Sequence, residues 1–162
     1  MGGAWGYKAL ESDDGFDTIN YIEDYIEDNY SSSDKFHLDL GKLVQRLQDI
    51  GALGKSFDDI DFYYDNTAMA LTELYFIFKD DGYLHYGNGN EIQEGLKLRL
   101  TEFKGDKLAL GFLLRYMQDM INEVPDEDGE RESVELWRDS DCFEEWKEHL
   151  NRLAKRLEHE LK

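Results

Sequence analysis

The four histidines His37, His85, His149 and His159 and the single cysteine Cys142 are the side chains with the most specific chemistry to offer. The histidines are widely separated, and none forms a His-x-x-x-His pair with an intervening carboxylate, as a zinc-protease helix needs. Each is expected at the surface or partly packed. With one cysteine no intramolecular disulfide is available. Cys142 sits beside Phe143 in an amphipathic pattern and reads as a small core residue rather than a nucleophile. The segment from Asp126 to Glu132 has the acidity of a calcium loop, but Gly129 comes too early and the remaining ligand pattern is absent. Gly87-Asn88-Gly89-Asn90 lacks the Lys and Ser/Thr of a phosphate-binding loop. Carboxylates are abundant, but an acid–base pair needs two members of different burial. Nearly every acid here falls at a position expected to be exposed. No catalytic residue, metal or cofactor is assigned.

What remains is charge and its placement. The chain has 37 acidic and 18 basic residues, a net charge of −19 over 162 residues. Such a surface repels nucleic acid and anionic lipid, so direct nucleic-acid binding is disfavoured, and the charge serves either solubility alone or a basic protein partner. From Glu11 to Asp34 nine residues are acidic and none is Lys or Arg. A second acidic stretch runs from Asp58 to Asp65 and a third from Glu123 to Glu135, whereas Lys97, Arg99, Lys104, Lys107 and Arg115 make the middle locally basic. Carboxylates three and four apart on a helix lie about 5–6 Å from one another. Interleaved tyrosines add contact area at low entropic cost. The candidate partner-binding residues are therefore Tyr21, Glu23, Asp24, Tyr25, Glu27 and Asp28 in the first stretch, and Asp58, Asp59, Asp61 and Tyr63 in the second. Whether the three stretches share a face is left open.

The elements that must carry these residues are mostly helices. Phe16, Ile19, Ile22, Ile26 and Tyr30 form one helical stripe after an N-cap at Ser12 or Asp13, with Tyr21 and Tyr25 on its flank. Ser31-Ser32-Ser33 with Asp34 then caps a second helix defined by Phe36, Leu40, Leu43, Val44, Leu47 and Ile50, which Gly51 and Gly54 stop. Ala68 to Phe78 is apolar nearly all round, the pattern of a central covered helix. Asp81-Gly82 between two aromatic runs is a hairpin signal, and Leu96, Leu98 and Leu100 alternate with polar residues as in a strand. Ile92, Leu96, Leu100 and Phe103 equally fit a helix. The preferred reading is helix to about Phe78, then a small hairpin or irregular loop. Asp106 caps a helix that Pro125 ends. Phe143, Trp146, Leu150, Leu153, Leu157 and Leu161 define the last helix, with Asp139 or Ser140 as its cap and Glu148–Arg152 as an i, i+4 pair. The expectation is one mainly α domain, 1–162, of five or six helices, with a small β-hairpin or three-stranded element around residues 74–103. No run is long and apolar enough to span a membrane, and no signal-peptide pattern opens the chain, so the expected location is the cytoplasm.

The opening Gly3-Ala4-Trp5-Gly6, followed by Leu10-Glu11-Ser12-Asp13-Asp14 and an amphipathic helix, resembles the start of a bacterial family, domain-of-unknown-function family 4259. Its members typically open with Met-Gly-Ala-Trp-Gly and a Phe-Glu-Asn-Asp-like segment. The resemblance covers about the first fifth of the chain, with departures at Gly2, Leu10 and Ser12. It implies a bacterial or phage, mostly helical, soluble protein and assigns no site. Trp5, between its glycines, is expected to anchor the N-terminus to the core. Three function classes follow in descending order. The first is a non-enzymatic inhibitor of a basic nuclease or toxin, of the immunity-protein or phage anti-nuclease (anti-CRISPR) type, with nucleic-acid mimicry. An intracellular adaptor or regulator without mimicry comes second, and an enzyme with an unrecognised site third.

Overall fold

Ser12 begins the first long element: its Oγ accepts from the Gly15 N–H at 3.1 Å and leaves Asp13 and Asp14 in the first turn, where the helix dipole favours them. The structure, a computed structural model, describes residues 6–31, 34–85 and 99–162. Among these, a 3₁₀ turn (Ala9–Glu11) precedes helix α1 (Asp13–Asn29), strand β1 (Phe36–Asp39), α2 (Leu40–Asp49), α3 (Phe62–Asp81), β2 (Leu100–Lys104), α4 (Lys107–Ile121), α5 (Glu132–Arg138) and α6 (Phe143–Glu160). The mainly α expectation holds. No helix among the described residues is long and apolar enough to cross a membrane. Trp5 and its anchoring role lie outside the described residues.

Helix α3 is central. Every residue from Asp65 to Phe76 is buried, and α1, α4, α5 and α6 all pack on it, as its all-round apolar pattern requires. Asp61 caps its start by accepting from Tyr63 N at 2.7 Å. Its end corrects the hairpin signal. Gly82 adopts φ 81° and returns its N–H to Phe78 O at 2.8 Å, so Asp81-Gly82 is a helix C-terminus and not a β-turn. Among the described helices α4 packs most extensively against α6, and Trp146, Leu150, Leu153, Leu157, Leu113 and Met117 are all buried in the common core.

The β element differs from expectation in partner and direction. Phe36 to Asp39 form a strand that pairs in parallel with β2, with Phe36 opposite Leu100 and a register shift before His37. Phe36 therefore does not open the second helix. Asp39 does so, accepting from Gly41 N at 3.0 Å, and the serine run with Asp34 is not the cap. Arg99 holds the approach to β1: its Nε donates to Asp34 O at 2.7 Å, a second N–H reaches Ser31 O, and its plane lies 5.1 Å from the Phe36 ring. Leu100 lies in β2, whereas Ile92, Leu96 and Leu98 fall outside the described residues. A parallel pair needs a long connection, here α2 and α3 among others, which local alternation does not signal.

Smaller corrections follow the same pattern. Ile50 is 44% exposed and sits past the end of α2. Helix α4 ends at Ile121, where Glu123 takes a positive φ of 55°, ahead of Pro125. Residues 132–138, to which the sequence pattern assigns no element of their own, form α5. Cys142, half-buried, occupies the N-cap of α6 and contributes no side-chain cap, while Ser140 Oγ accepts from its N–H at 3.2 Å. Glu148 and Arg152 are exposed and do not close an ion pair.

The N-terminal turn lies so close under α1 that Gly15 is confined. A Cβ there would stand 1.9 Å from Ala9 O, a backbone atom that cannot swing aside. Gly15→Ala is expected to destabilise by about 1–3 kcal/mol or more through overpacking, although alanine favours helix by about 1 kcal/mol. Urea unfolding of the variant checks this; equal or greater stability would place the turn elsewhere.

Candidate functional site

The second and third acidic stretches meet. Asp58, Asp59 and Asp61 line one side of a groove of about 420 Å³, and Asp126, Glu127, Asp128 and Glu132 line the other; Ile60 and Tyr64 are its remaining walls. Among the described residues no Lys or Arg lines it. Among the described residues no three His, Cys, Asp or Glu side chains converge in a metal-ligating group.

Local turns present these acids. The Asp58 N–H donates to Ser56 Oγ at 3.0 Å and Asp59 N–H to Ser56 O at 3.1 Å, which folds the segment before the α3 cap. Across the groove, Asp126 Oδ1 accepts from Asp128 N at 2.9 Å, and Gly129, at φ 125°, closes the turn. Asp61 and Asp126 are thus partly committed to holding backbone. Asp58, Asp59, Glu127 and Asp128 are exposed.

What brings the two sides together lies beneath them. Arg131, 1% exposed, donates Nε and NH2 hydrogens to the two oxygens of Asp65 at 2.8 and 2.6 Å, and Asp65 is also 1% exposed. Ser133 Oγ donates to the same carboxylate at 2.7 Å, and Arg131 NH1 reaches Val124 O at 3.3 Å. The carboxylate sits one turn inside α3 and the guanidinium at the start of α5, so this one contact sets the acidic loop against the α3 N-terminus. Burial pushes the Asp65 carboxyl up, and the Arg131 and Ser133 bonds draw it back.

The first acidic stretch does not line the groove. It approaches through a tyrosine pair: Tyr21 Oη and Tyr63 Oη are 2.7 Å apart, and Tyr63 Oη donates to Asp17 at 3.3 Å. Burial, then the Tyr21 bond, pushes the Tyr63 hydroxyl well above its ordinary value. Both tyrosines are half-buried and their hydroxyls face each other, so they join α1 to α3. Tyr25 is corrected more firmly. It is 9% exposed, lies in the core stripe with Ile22 and Ile26, and offers no surface to a partner. Asp24, Glu27 and Asp28 are exposed, with Asp28 2.8 Å from Arg46 of α2. Burial and then the charges of Glu27 and Asp24 raise the Glu23 carboxyl.

Sequence reasoning missed the buried polar residues Asp65, Glu73, Asp119, Arg131 and His149. A usable signal existed: Asp65 and Glu73 sit eight residues apart in a helix read as covered on all sides. Charged residues there must be paired.

The family model of the domain of unknown function DUF4259 matches residues 3–149. The chain belongs to this family. No curated protein and no solved structure matches it. The match extends the resemblance of the opening segment over most of this DUF4259 chain, from the N-terminal turn through both walls of the groove to His149.

Asp65→Asn strands a buried guanidinium and is expected to cost about 3–5 kcal/mol of stability. The double variant Asp65→Leu/Arg131→Met removes both charges and is expected to recover most of that loss. Urea unfolding of the two variants tests this; a single variant within about 1 kcal/mol of wild type would contradict the pairing.

Proposed function

We propose that the protein is a non-enzymatic binding protein whose acidic groove receives a basic protein, in the manner of an inhibitor of a nuclease or toxin. One observation carries the reading: two stretches about 65 residues apart in sequence converge to set seven carboxylates around one groove with no cation among them. Bringing like charges together costs folding energy through repulsion, and a basic partner recovers that energy on binding. The field of such a groove speeds association with a cationic surface and repels anionic competitors. Carboxylates gathered on one face can engage the Lys and Arg side chains that otherwise grip phosphates, and nucleic-acid mimicry is the mode we favour. The exposed acids of α1 broaden the negative surface without lining the groove.

The test is retention of host proteins on two forms of the full chain. Wild type is compared with Asp58→Asn/Asp59→Asn/Glu127→Gln/Asp128→Asn, which spares the turn-holding Asp61 and Asp126. Wild type is expected to retain a strongly basic protein, with affinity falling as salt rises, and the groove variant to lose it at least tenfold. Reversing Glu23, Asp24, Glu27 and Asp28 to Lys is expected to weaken binding less. Retention of only neutral or acidic proteins, or equal retention by the groove variant, would overturn the reading.

A further inference from the structure

A second cavity, of about 330 Å³, opens between the N-terminal turn, α3 and α6, away from the acidic groove. Its size falls within the range of small-molecule sites, about 300–1,000 Å³. Leu10, Phe76 and Leu153 give it apolar walls. Its two most buried polar residues are Glu73 and His149, at 5% and 7% exposure.

The Glu73 carboxylate is fully engaged. Its Oε1 accepts from Leu10 N at 2.9 Å, and its Oε2 accepts from Ala9 N at 2.8 Å and contacts His149 Nε2 at 2.8 Å. A carboxylate already holding two backbone N–H groups takes the imidazole as a third donor, which assigns the proton to Nε2. The Nδ1 of a neutral imidazole then carries a lone pair. That atom has no hydrogen-bond partner among the described residues, and His149 lines the cavity, so Nδ1 is the ring nitrogen left to meet a ligand there. The ring is steadied further by Tyr7, whose ring meets it edge-on at 5.5 Å.

At the rim Arg156 closes an ion pair with Asp80, the Glu11 carboxylate accepts from the Lys8 backbone N–H, and His85, beside Asp81, completes the polar lining. Arg156 donates to both oxygens of Asp80 at 2.9 and 2.7 Å and stacks 4.1 Å from the Phe76 ring, while Lys8 and Glu11 stand on the N-terminal turn. Pairing of this kind leaves little net field to attract an ion, and the apolar walls favour a neutral body. We propose that this cavity is a binding site for a small uncharged aromatic molecule, of the phenol or azole class, that donates one O–H or N–H to His149 Nδ1. The carboxylate–imidazole arrangement fixes the acceptor in place before the ligand arrives, so little ordering cost remains to be met on binding.

The test uses the full ¹⁵N-labelled chain, with phenol as probe and toluene as the matched ring without a donor. The His149 ring nitrogens are followed by long-range ¹H–¹⁵N correlation. They are assigned by elimination from variants of His37, His85 and His159; because His85 also lines the cavity, its variant serves assignment alone and every titration uses the wild-type chain. Phenol is expected to shift the Nδ1 resonance saturably and to bind several-fold more tightly than toluene. A purely apolar cavity would give the opposite order, because toluene is the more hydrophobic ring. Tighter binding of toluene, or a phenol titration that leaves Nδ1 unmoved, would overturn the proposal.

Discussion

The groove depends on one desolvated contact, the bidentate pair of Asp65 and Arg131. Taking both charges out of water is expensive, and two short hydrogen bonds with the Ser133 hydroxyl offset that cost only in one geometry. Any displacement of the segment around Arg131 leaves two buried charges unpaired. The acidic loop therefore has one place to rest, against the acids that precede α3. Like charges across the groove oppose this placement, and the buried pair, little screened by salt, holds it.

The distribution of cations completes the picture. Lys79 pairs with Glu160, Arg156 with Asp80, Lys147 and Arg138 with Glu123, and Arg138 also with Glu130. These contacts hold the Asp80, Glu123 and Glu160 carboxyls below their ordinary values, the hydrogen bond to the cation being the main cause in each. Arg99 is committed to backbone carbonyls, and Arg115 to Asp119 at 2.9 Å and to the Phe57 ring at 4.6 Å. Of the locally basic middle, Arg99 and Arg115 are thus engaged internally, whereas Lys104 and Lys107 stay exposed. The excess negative charge is concentrated on the exposed side of α1, where Arg46 meets Asp28, and around the groove, where no base lies between the acids among the described residues.

Caps and stripes were legible wherever they are local. Ser12, Asp106 and the Trp146–Leu157 stripe mark helices that form where the sequence puts them. Elements defined by distant partners were not. Phe36 fits a helical stripe, but pairing with Leu100, far along the chain, makes it a strand. Asp81-Gly82 carries a hairpin signal, yet the apolar run before it continues as helix until glycine ends it. Tyr25 looks like part of an acidic face in one dimension, and packing into the core turns it inward. The groove residues Asp58, Asp59 and Asp61 were named from local charge, but their meeting with Asp126 to Asp128 was not, because it rests on a buried pair 66 residues apart. The pocket at Glu73 and His149 was missed for the same reason: each residue gains its meaning from the other.

The claim that a buried ion pair assembles one groove from two acidic stretches is tested most directly by a distance. Spin labels at Asp59→Cys and Glu127→Cys, in a Cys142→Ser background, would be measured by double electron–electron resonance at low salt and at molar salt. A single short, narrow distribution that stays unchanged across the two conditions is predicted, because the holding pair is buried while the opposing charges are screened. A broad or long distribution at low salt that contracts only when salt is added would contradict the account.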